Sequence, residues 1–425
     1  MVSITPAALA RRLWLGCPPG LRRRLLGLAL DIVVPRAAGS PPGDGSPTVA
    51  GLLRSPTGLG RGARLQGEAF RALGRCPEAA DLTALFHDPD PGLPAPRWTA
   101  REAGAPPPRG PVIVHLNAPN LRHALAALGR RRIRGRRIVG YWAWELPVLP
   151  AAWLPALVHL HEVWTPSAFS AAAIAAATEK PVRVVPHPVA IAQPGRAALG
   201  RAAFGLREQD FVALTAFHPA SGIERKNPLG TIRAFREAFG GRPGAVLVLK
   251  IGGEGPLPWL DGVLAQAGGA GPDIAVLRGD LPDAELTALM ACSDVLLSLH
   301  RSEGFGLVLA EAMQLGIPVV ATAWSGNLDF MPDGSAALVE HCLVPVADPE
   351  AIYGDGSHWA EPDTGHAAAW LRRLAADFET RRRLGEAGSA AIAERCGLTA
   401  FARALESPPI ASGVPAAQSP VWISH

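Results

Sequence analysis

Two Rossmann-like α/β domains facing a cleft are the fold class this sequence predicts, and three observations carry it. Short apolar, strand-like runs alternate with helix-like segments along most of the chain. The series lapses at a looser stretch, Ala190 to Gly200, and then begins afresh. At 425 residues the chain also exceeds what one compact core holds.

The first series opens on Thr48-Val49-Ala50-Gly51-Leu52-Leu53, an apolar run bounded by turn residues and read as a buried strand. Val112 to Leu116, Arg137 to Tyr141, Glu162 to Thr165 and Val182 to Val185 read as further strands. Pro166-Ser167 starts an alanine-rich helix with Ser167 as its cap. In the second series Phe211 to Phe217 and Ala245 to Ile251 are strands, with a helix from Asn227 to Phe239 between them. Asp294 to Leu299 and Ile317 to Thr322 flank another helix. Strands alternating with helices imply a parallel, doubly wound sheet, so two series imply two such domains. The predicted limits are an extension and linker over 1–47, a first domain over 48–195, a second over 196–395, and a terminal helix and tail over 396–425. Ligands of such sheets bind beyond the carboxyl ends of the strands, which makes the interdomain cleft the default site.

Composition narrows the function classes. Hydrophobic residues at 48% and charged residues at 18% suit a globular enzyme. A net charge of +4 permits an acidic substrate or an anionic surface without demanding either. The five cysteines, at 17, 76, 292, 342 and 396, lack metal-ligand or redox spacing, which points to a reducing cytosol. No apolar run approaches the roughly 20 residues of a membrane-spanning helix, and the N-terminus lacks a signal-peptide pattern; the expected location is cytoplasmic. Arg11, Arg12, Arg22, Arg23 and Arg24 punctuate apolar stretches ahead of a Pro/Gly/Ser linker at 39–47. Two readings stand for that extension: a helical addition packed on the first domain, which is favoured, or basic amphipathic helices on the inner face of an anionic membrane.

The strongest motif is His300-Arg301-Ser302-Glu303-Gly304-Phe305-Gly306-Leu307-Val308-Leu309-Ala310-Glu311-Ala312-Met313. A strand ends at Leu299, a glycine loop follows, and a helix begins near Gly306. Gly304 and Gly306 let the backbone approach a ligand, and free N–H groups with the helix dipole suit a diphosphate. Glu303 in the loop and Glu311 about two helical turns further on can divide a sugar and a ribose between them as hydrogen-bond acceptors.

This stretch resembles the Glu-x7-Glu signature of the retaining nucleotide-sugar glycosyltransferases called group 1, which have the GT-B fold. Ser55-Pro56-Thr57-Gly58-Leu59-Gly60 resembles their first glycine loop, beside the donor phosphates. Glu224-Arg225-Lys226-Asn227-Pro228 resembles their basic element, where a lysine contacts the diphosphate, and Trp324-Ser325-Gly326-Asn327-Leu328-Asp329 falls where they have a glycine-rich turn. Gly140-Tyr141-Trp142-Ala143-Trp144-Glu145 is similar to a run in bacterial transferases of surface polysaccharides. The resemblance spans roughly residues 48 to 405. It implies Glu303, Lys226 and Arg225 as catalytic groups and Gly58, Gly60, Gly304, Phe305, Gly306 and Glu311 as the donor site. His115, Asn117, Trp144 and Glu145 are expected on the acceptor side, with Trp142 and Trp144 either stacking on a sugar or packing between the domains. Two departures stand out: Ser221 lies where many relatives carry an arginine, with Arg225 as a substitute source of charge, and the first-domain histidine of many relatives has no counterpart in the Tyr141–Glu145 run.

Other clusters have plainer readings. Asp88-Pro89-Asp90 mimics a metal-binding Asp-x-Asp but sits in a proline-rich turn without further ligands. His159 and His161 lack ligand partners at the right spacing. The basic run from Arg130 to Arg137 lacks a recognition helix or interleaved aromatics, so a solvated face or a phosphate-bearing acceptor site is favoured over nucleic acid. The expected reaction moves a sugar from a nucleotide-sugar donor to a glycan or lipid-linked acceptor, with neither metal nor other cofactor. The resemblance implies retention through front-face attack, the leaving phosphate taking the acceptor's proton. The alternatives are a degenerate binding subunit and a GT-B epimerase or phosphorylase.

Overall fold

A computed structural model describes residues 33–96, 109–191, 195–240, 243–253, 255–347 and 356–410, together with Leu30, Trp98 and Tyr353. The arginine-punctuated part of the N-terminal extension lies outside the described residues.

Two six-stranded parallel sheets form the two domains. The first holds β1 (Thr48–Gly51), β2 (Glu78–Asp81), β3 (Val112–His115), β4 (Ile138–Tyr141), β5 (Glu162–Thr165) and β6 (Val182–Val184) in the order β2-β1-β3-β4-β5-β6. Its helices are α1 (Gly58–Ala72), α2 (Ala118–Leu128), the single turn α3 (Arg130–Ile133) and α4 (Ala168–Ala175). The second holds β7 (Phe211–Phe217), β8 (Ala245–Ile251), β9 (Ile274–Arg278), β10 (Val295–Ser298), β11 (Val319–Thr322) and β12 (Ala337–Val339) in the order β12-β11-β10-β7-β8-β9. With it go α5 (Ile223–Lys226), α6 (Pro228–Phe239), α7 (Pro258–Gln266), α8 (Asp283–Ala291) and α9 (Leu307–Gln314). An antiparallel hairpin, β13 (His341–Pro345) with β14 (His358–Pro362), leads to α10 (Thr364–Ala376), α11 (Phe378–Arg395) and α12 (Leu398–Glu406).

Near-continuous apolar runs make the central strands because helices cover both faces of each sheet. All four residues of β1, β3, β4 and β5 are buried, as are those of β11. The expected helix at 227–239 forms from Pro228. Asn227 stands before it in the left-handed region at φ 49°, and its side chain accepts from Gly230 N. Ser167 caps α4 by accepting from Ser170 N.

Strand order fixes the site. In the first sheet the chain moves from β1 to β2 and then crosses to β3 on the other side. In the second it moves from β7 through β9 and returns to place β10 beside β7. Each reversal opens a crevice at the strands' carboxyl ends. The loops leaving β1, β7 and β10 are those bearing Gly58, Lys226 and Glu303. The chain then crosses back: Phe401 of α12 packs edge-on to Phe70 of α1, centroids 5.2 Å apart, and Ile410 bridges to Val182.

Candidate active site

The site assembles around Glu303, which follows β10 and has 6% of its surface exposed. Its backbone is fixed first. Glu303 N donates to Ser325 Oγ at 2.7 Å, and Gly326 N donates to Glu303 O at 2.9 Å. A Cβ at Gly326 would stand 2.3 Å from Gly304 O, so glycine is required for the turn after β11 to lie against this loop. The carboxylate is then held from both sides. Lys226 Nζ donates to Oε1, and Arg225 NH1 lies 3.1 Å from Oε2. Burial alone would raise the Glu303 pKa, but Lys226 and Arg225 override it and hold the group down at about 2. Burial lowers the Lys226 pKa against the pull of Glu303.

Arg225 is more deeply enclosed, at 3% exposure. Nε donates to Tyr353 OH at 2.7 Å, NH1 to Ser302 O at 2.7 Å, and NH2 to Ser221 O at 2.7 Å, while NH2 lies 3.7 Å from Glu145 Oε1. Burial would lower its pKa, yet Glu303, Tyr353 and Glu145 raise it. Its guanidinium thus fills the space beside Ser221. This corrects the expectation that it substitutes for a phosphate-binding arginine: its donors face protein acceptors, whereas Lys226 keeps 19% of its side chain open. Glu145 sits across Arg225 from Glu303, and burial pushes its pKa up.

The glycine loop turns into α9 at Gly306, whose φ of 94° favours glycine. The first backbone bond of the helix runs from Ala310 N to Gly306 O, leaving the amides ahead of it without intrahelical acceptors. Phe305 points the other way, packing against Phe330 at 4.7 Å and His187 at 5.0 Å, so its side chain anchors the loop from the core rather than meeting a ligand. Glu311 lies on α9, 18% exposed, and accepts from Arg61 Nε of the first domain at 2.9 Å.

Across the cleft, Gly58 begins α1, where an added Cβ would stand 3.8 Å from Leu307 Cδ1 in ordinary contact, whereas Gly60 would bring a Cβ to 2.4 Å from Leu52 O. Glycine is therefore required at this position for α1 to start against the Leu52–Ser55 turn. Two acceptor-side expectations are corrected as well, and of the two readings of Trp142 and Trp144 the packing one holds. His115 is fully buried, stacked 4.4 Å from Tyr141 and bonded through Nε2 to Gln66 Oε1 at 2.9 Å. Asn117 clasps the peptide of Ala143, accepting from its N at 3.0 Å and donating to its O at 3.1 Å. Trp144 packs on Trp153 at 4.9 Å and donates Nε1 to Val148 O; Trp142 is buried against the same ring at 5.5 Å. These residues shape the Tyr141–Glu145 loop from behind, and Glu145 is the member whose side chain reaches the site.

The loops after β4 and β5 also meet the second domain directly. Ser302 Oγ donates to Glu145 O, Ser167 Oγ donates to Gly304 O at 2.6 Å, and Ala168 N donates to Asp329 Oδ2 at 2.7 Å. Sequence reasoning missed Tyr353, Ser302, Ser325 and Arg61. Arg61 alone left a signal: the first turn of α1 has no acidic residue but does have an arginine, against the preference of the helix dipole.

The remaining clusters behave as ordinary structure. Asp90 Oδ1 accepts from Gly92 N in a turn, and His161 Nδ1 accepts from Ile138 N. Arg136 is buried, with Nε bonded to Gly110 O and NH2 to Thr48 Oγ1, so the Arg130–Arg137 run is not wholly a solvated face. Among the described residues no group of three or more His, Cys, Asp or Glu could hold a metal, and no helix is long and apolar enough to cross a membrane.

Residues 216–355 match the family model for glycosyl transferases of group 1. The chain is 31% identical over 182 residues to a D-inositol 3-phosphate glycosyltransferase of Segniliparus rotundus, covering 41% of this chain and 38% of that one. It is 32% identical over 117 residues to a trehalose phosphorylase of Grifola frondosa, covering 24% and 16%. The chain thus spans well under half the length of these curated relatives. Among solved structures it is similar to Anabaena HepE in complex with UDP and glucose, with TM-score 0.56 and 16% identity over 85% of this chain and 99% of that one. The architecture is the two-domain GT-B fold, and the matched family region contains both Lys226 and Glu303.

Proposed function

We propose that this protein transfers a sugar from a nucleotide-sugar donor to a glycan or lipid-linked acceptor, with retention and without a metal ion. The observation that carries the reading is the placement of Glu303. It is a buried carboxylate kept ionised by Lys226 and Arg225, at the mouth of a glycine loop whose following helix presents free amides. Breaking the anomeric bond leaves positive charge on the sugar and adds negative charge to the diphosphate. Lys226 and the α9 amides are aimed at the second charge, and such preorganised groups commonly supply the largest share of a rate enhancement. Glu303 orients the sugar hydroxyls, and Glu311 accepts from the ribose. In front-face attack the acceptor oxygen bonds to the anomeric carbon on the side the phosphate leaves, and that phosphate takes the acceptor's proton.

The match to a trehalose phosphorylase favours one second reading, transfer between a sugar and inorganic phosphate. Both are tested by incubating the full chain with a panel of nucleotide sugars and, separately, with disaccharides and phosphate. Release of nucleoside diphosphate in the presence of a chelator supports the first reading, and phosphate-dependent disaccharide cleavage supports the second. Proton NMR of the transferred sugar reports retention or inversion.

A further inference from the structure

Arg61 crosses from the first domain to the carboxylate assigned above to the donor's ribose. Its Nε donates to Glu311 Oε1 at 2.9 Å, and its NH1 lies 3.2 Å from Asp283 Oδ2 at the start of α8. Asp283 is held in turn by Arg64 NH2 at 3.5 Å, and Arg64 is anchored on its own domain by donating NH1 to Ser55 O at 2.7 Å. The group sits at the mouth of the crevice, where Gly58 at the start of α1 faces Leu307 at the start of α9.

A ribose bound at Glu311 brings two adjacent hydroxyls, each a donor seeking a carboxylate oxygen. Oε1 is already taken by a charged donor, and charge-assisted bonds are the stronger kind. We propose that Arg61 is an intramolecular competitor for the ribose: it pairs with Glu311 while the cleft is empty, and a ribonucleotide must displace it to bind. The inference rests on the reading of Glu311 as the ribose ligand. Displacement does not strand the guanidinium, because Asp283 keeps it at the cleft edge as Glu311 turns to the hydroxyls. Burial lowers the Arg61 pKa less than Glu311 and Asp283 raise it, so the group stays charged throughout.

The test is calorimetric titration of the full chain with UDP, GDP, ADP and CDP and with their 2′,3′-dideoxy counterparts. Wild type, Arg61→Ala, Arg61→Gln and Glu311→Gln are compared. The expected result is that Arg61→Ala binds its ribonucleotide about fivefold more tightly, the factor to which a partly exposed ion pair of about 1 kcal/mol converts. The dideoxy counterpart should bind wild type and variant alike. Arg61→Gln should behave as Arg61→Ala does, and it decides the matter if the alanine variant misfolds. Weaker or unchanged ribonucleotide binding overturns the inference, as does a change equal for both nucleotides, which marks Arg61 as a domain clamp. Glu311→Gln with undiminished affinity, or no nucleotide binding to any of the proteins, removes the donor reading and this inference with it.

Discussion

Arg225 stands between two carboxylates from different domains, 3.1 Å from Glu303 and 3.7 Å from Glu145, while Tyr353 and the carbonyls of Ser221 and Ser302 take its remaining donors. A guanidinium so enclosed contributes chiefly by leaving no buried charge unpaired. Arg225→Ala is expected to destabilise the protein by about 3–5 kcal/mol, the usual cost of breaking a buried pair from one side. Arg225→Lys should recover only part of this, since an ammonium cannot reproduce the fork. Urea denaturation of the three proteins measures both; a loss below about 1 kcal/mol for the alanine variant would contradict so enclosed a position for Arg225.

Lys226 occupies the more open side of Glu303, where a diphosphate can reach it. Lys226→Ala is expected to lower turnover of the donor about a hundredfold, roughly 3 kcal/mol of transition-state stabilisation. Steady-state donor hydrolysis, with circular dichroism to check the fold, measures it. A variant with unchanged turnover would remove Lys226 from the leaving-group site.

Acid should weaken the fold in two stages. His187 is buried between Tyr141, Phe305 and α1, and burial lowers its pKa from 6.5 to about 3; His115 beside it is pushed down as well. A histidine kept neutral in the fold gives full stability above pH 6.5. That stability is lost as pH falls toward 3, because the unfolded chain takes up the proton first. Glu303, lowered from 4.5 to about 2, adds stability that is present above pH 4.5 and lost as pH falls through 2. The urea midpoint should therefore drop already between pH 6.5 and 4.5, and His187→Gln should flatten that part of the curve. A flat wild-type profile there would show that the histidines titrate normally.

The sequence made the architecture legible because parallel strands buried on both faces are plain apolar runs. β7 and β8 have the limits their composition predicts, and β5 likewise. β2, with its sequence Glu-Ala-Ala-Asp, and the edge strand β12 are short, and their own apolar patterns are too weak to mark them. The candidate site was legible where glycine, charge and helix start coincide, at Lys226 and Glu303. It was not legible where tertiary packing decides. The expectation for His115 failed because a histidine ending a strand can turn inward onto Gln66 as readily as outward, and spacing does not distinguish the two. Tyr353 reaches Arg225 from more than a hundred residues away, and a Cβ at Gly222 would come within 2.9 Å of its hydroxyl, a contact no local pattern encodes.

The two glutamates of the central motif should separate kinetically. On the proposed reading Glu303, which lies beside both cations, contacts the sugar, and those contacts tighten as charge develops at the anomeric carbon. Glu311 lies just over one turn into α9, paired with Arg61, where on the proposed reading a ribose changes little during reaction. An interaction made mainly in the transition state appears in kcat, whereas one made equally in ground and transition states appears in KM. Glu303→Gln also removes the charge that Lys226 and Arg225 compensate, leaving two cations close together, so some loss of stability should accompany its loss of kcat. Glu311→Gln should raise the donor KM with kcat nearly unchanged and little change in denaturation midpoint, because its ion pair is partly exposed. Kinetics on both variants, read beside their unfolding curves, decide the assignment: reversed effects exchange the two roles, and unchanged kinetics in both place the donor elsewhere.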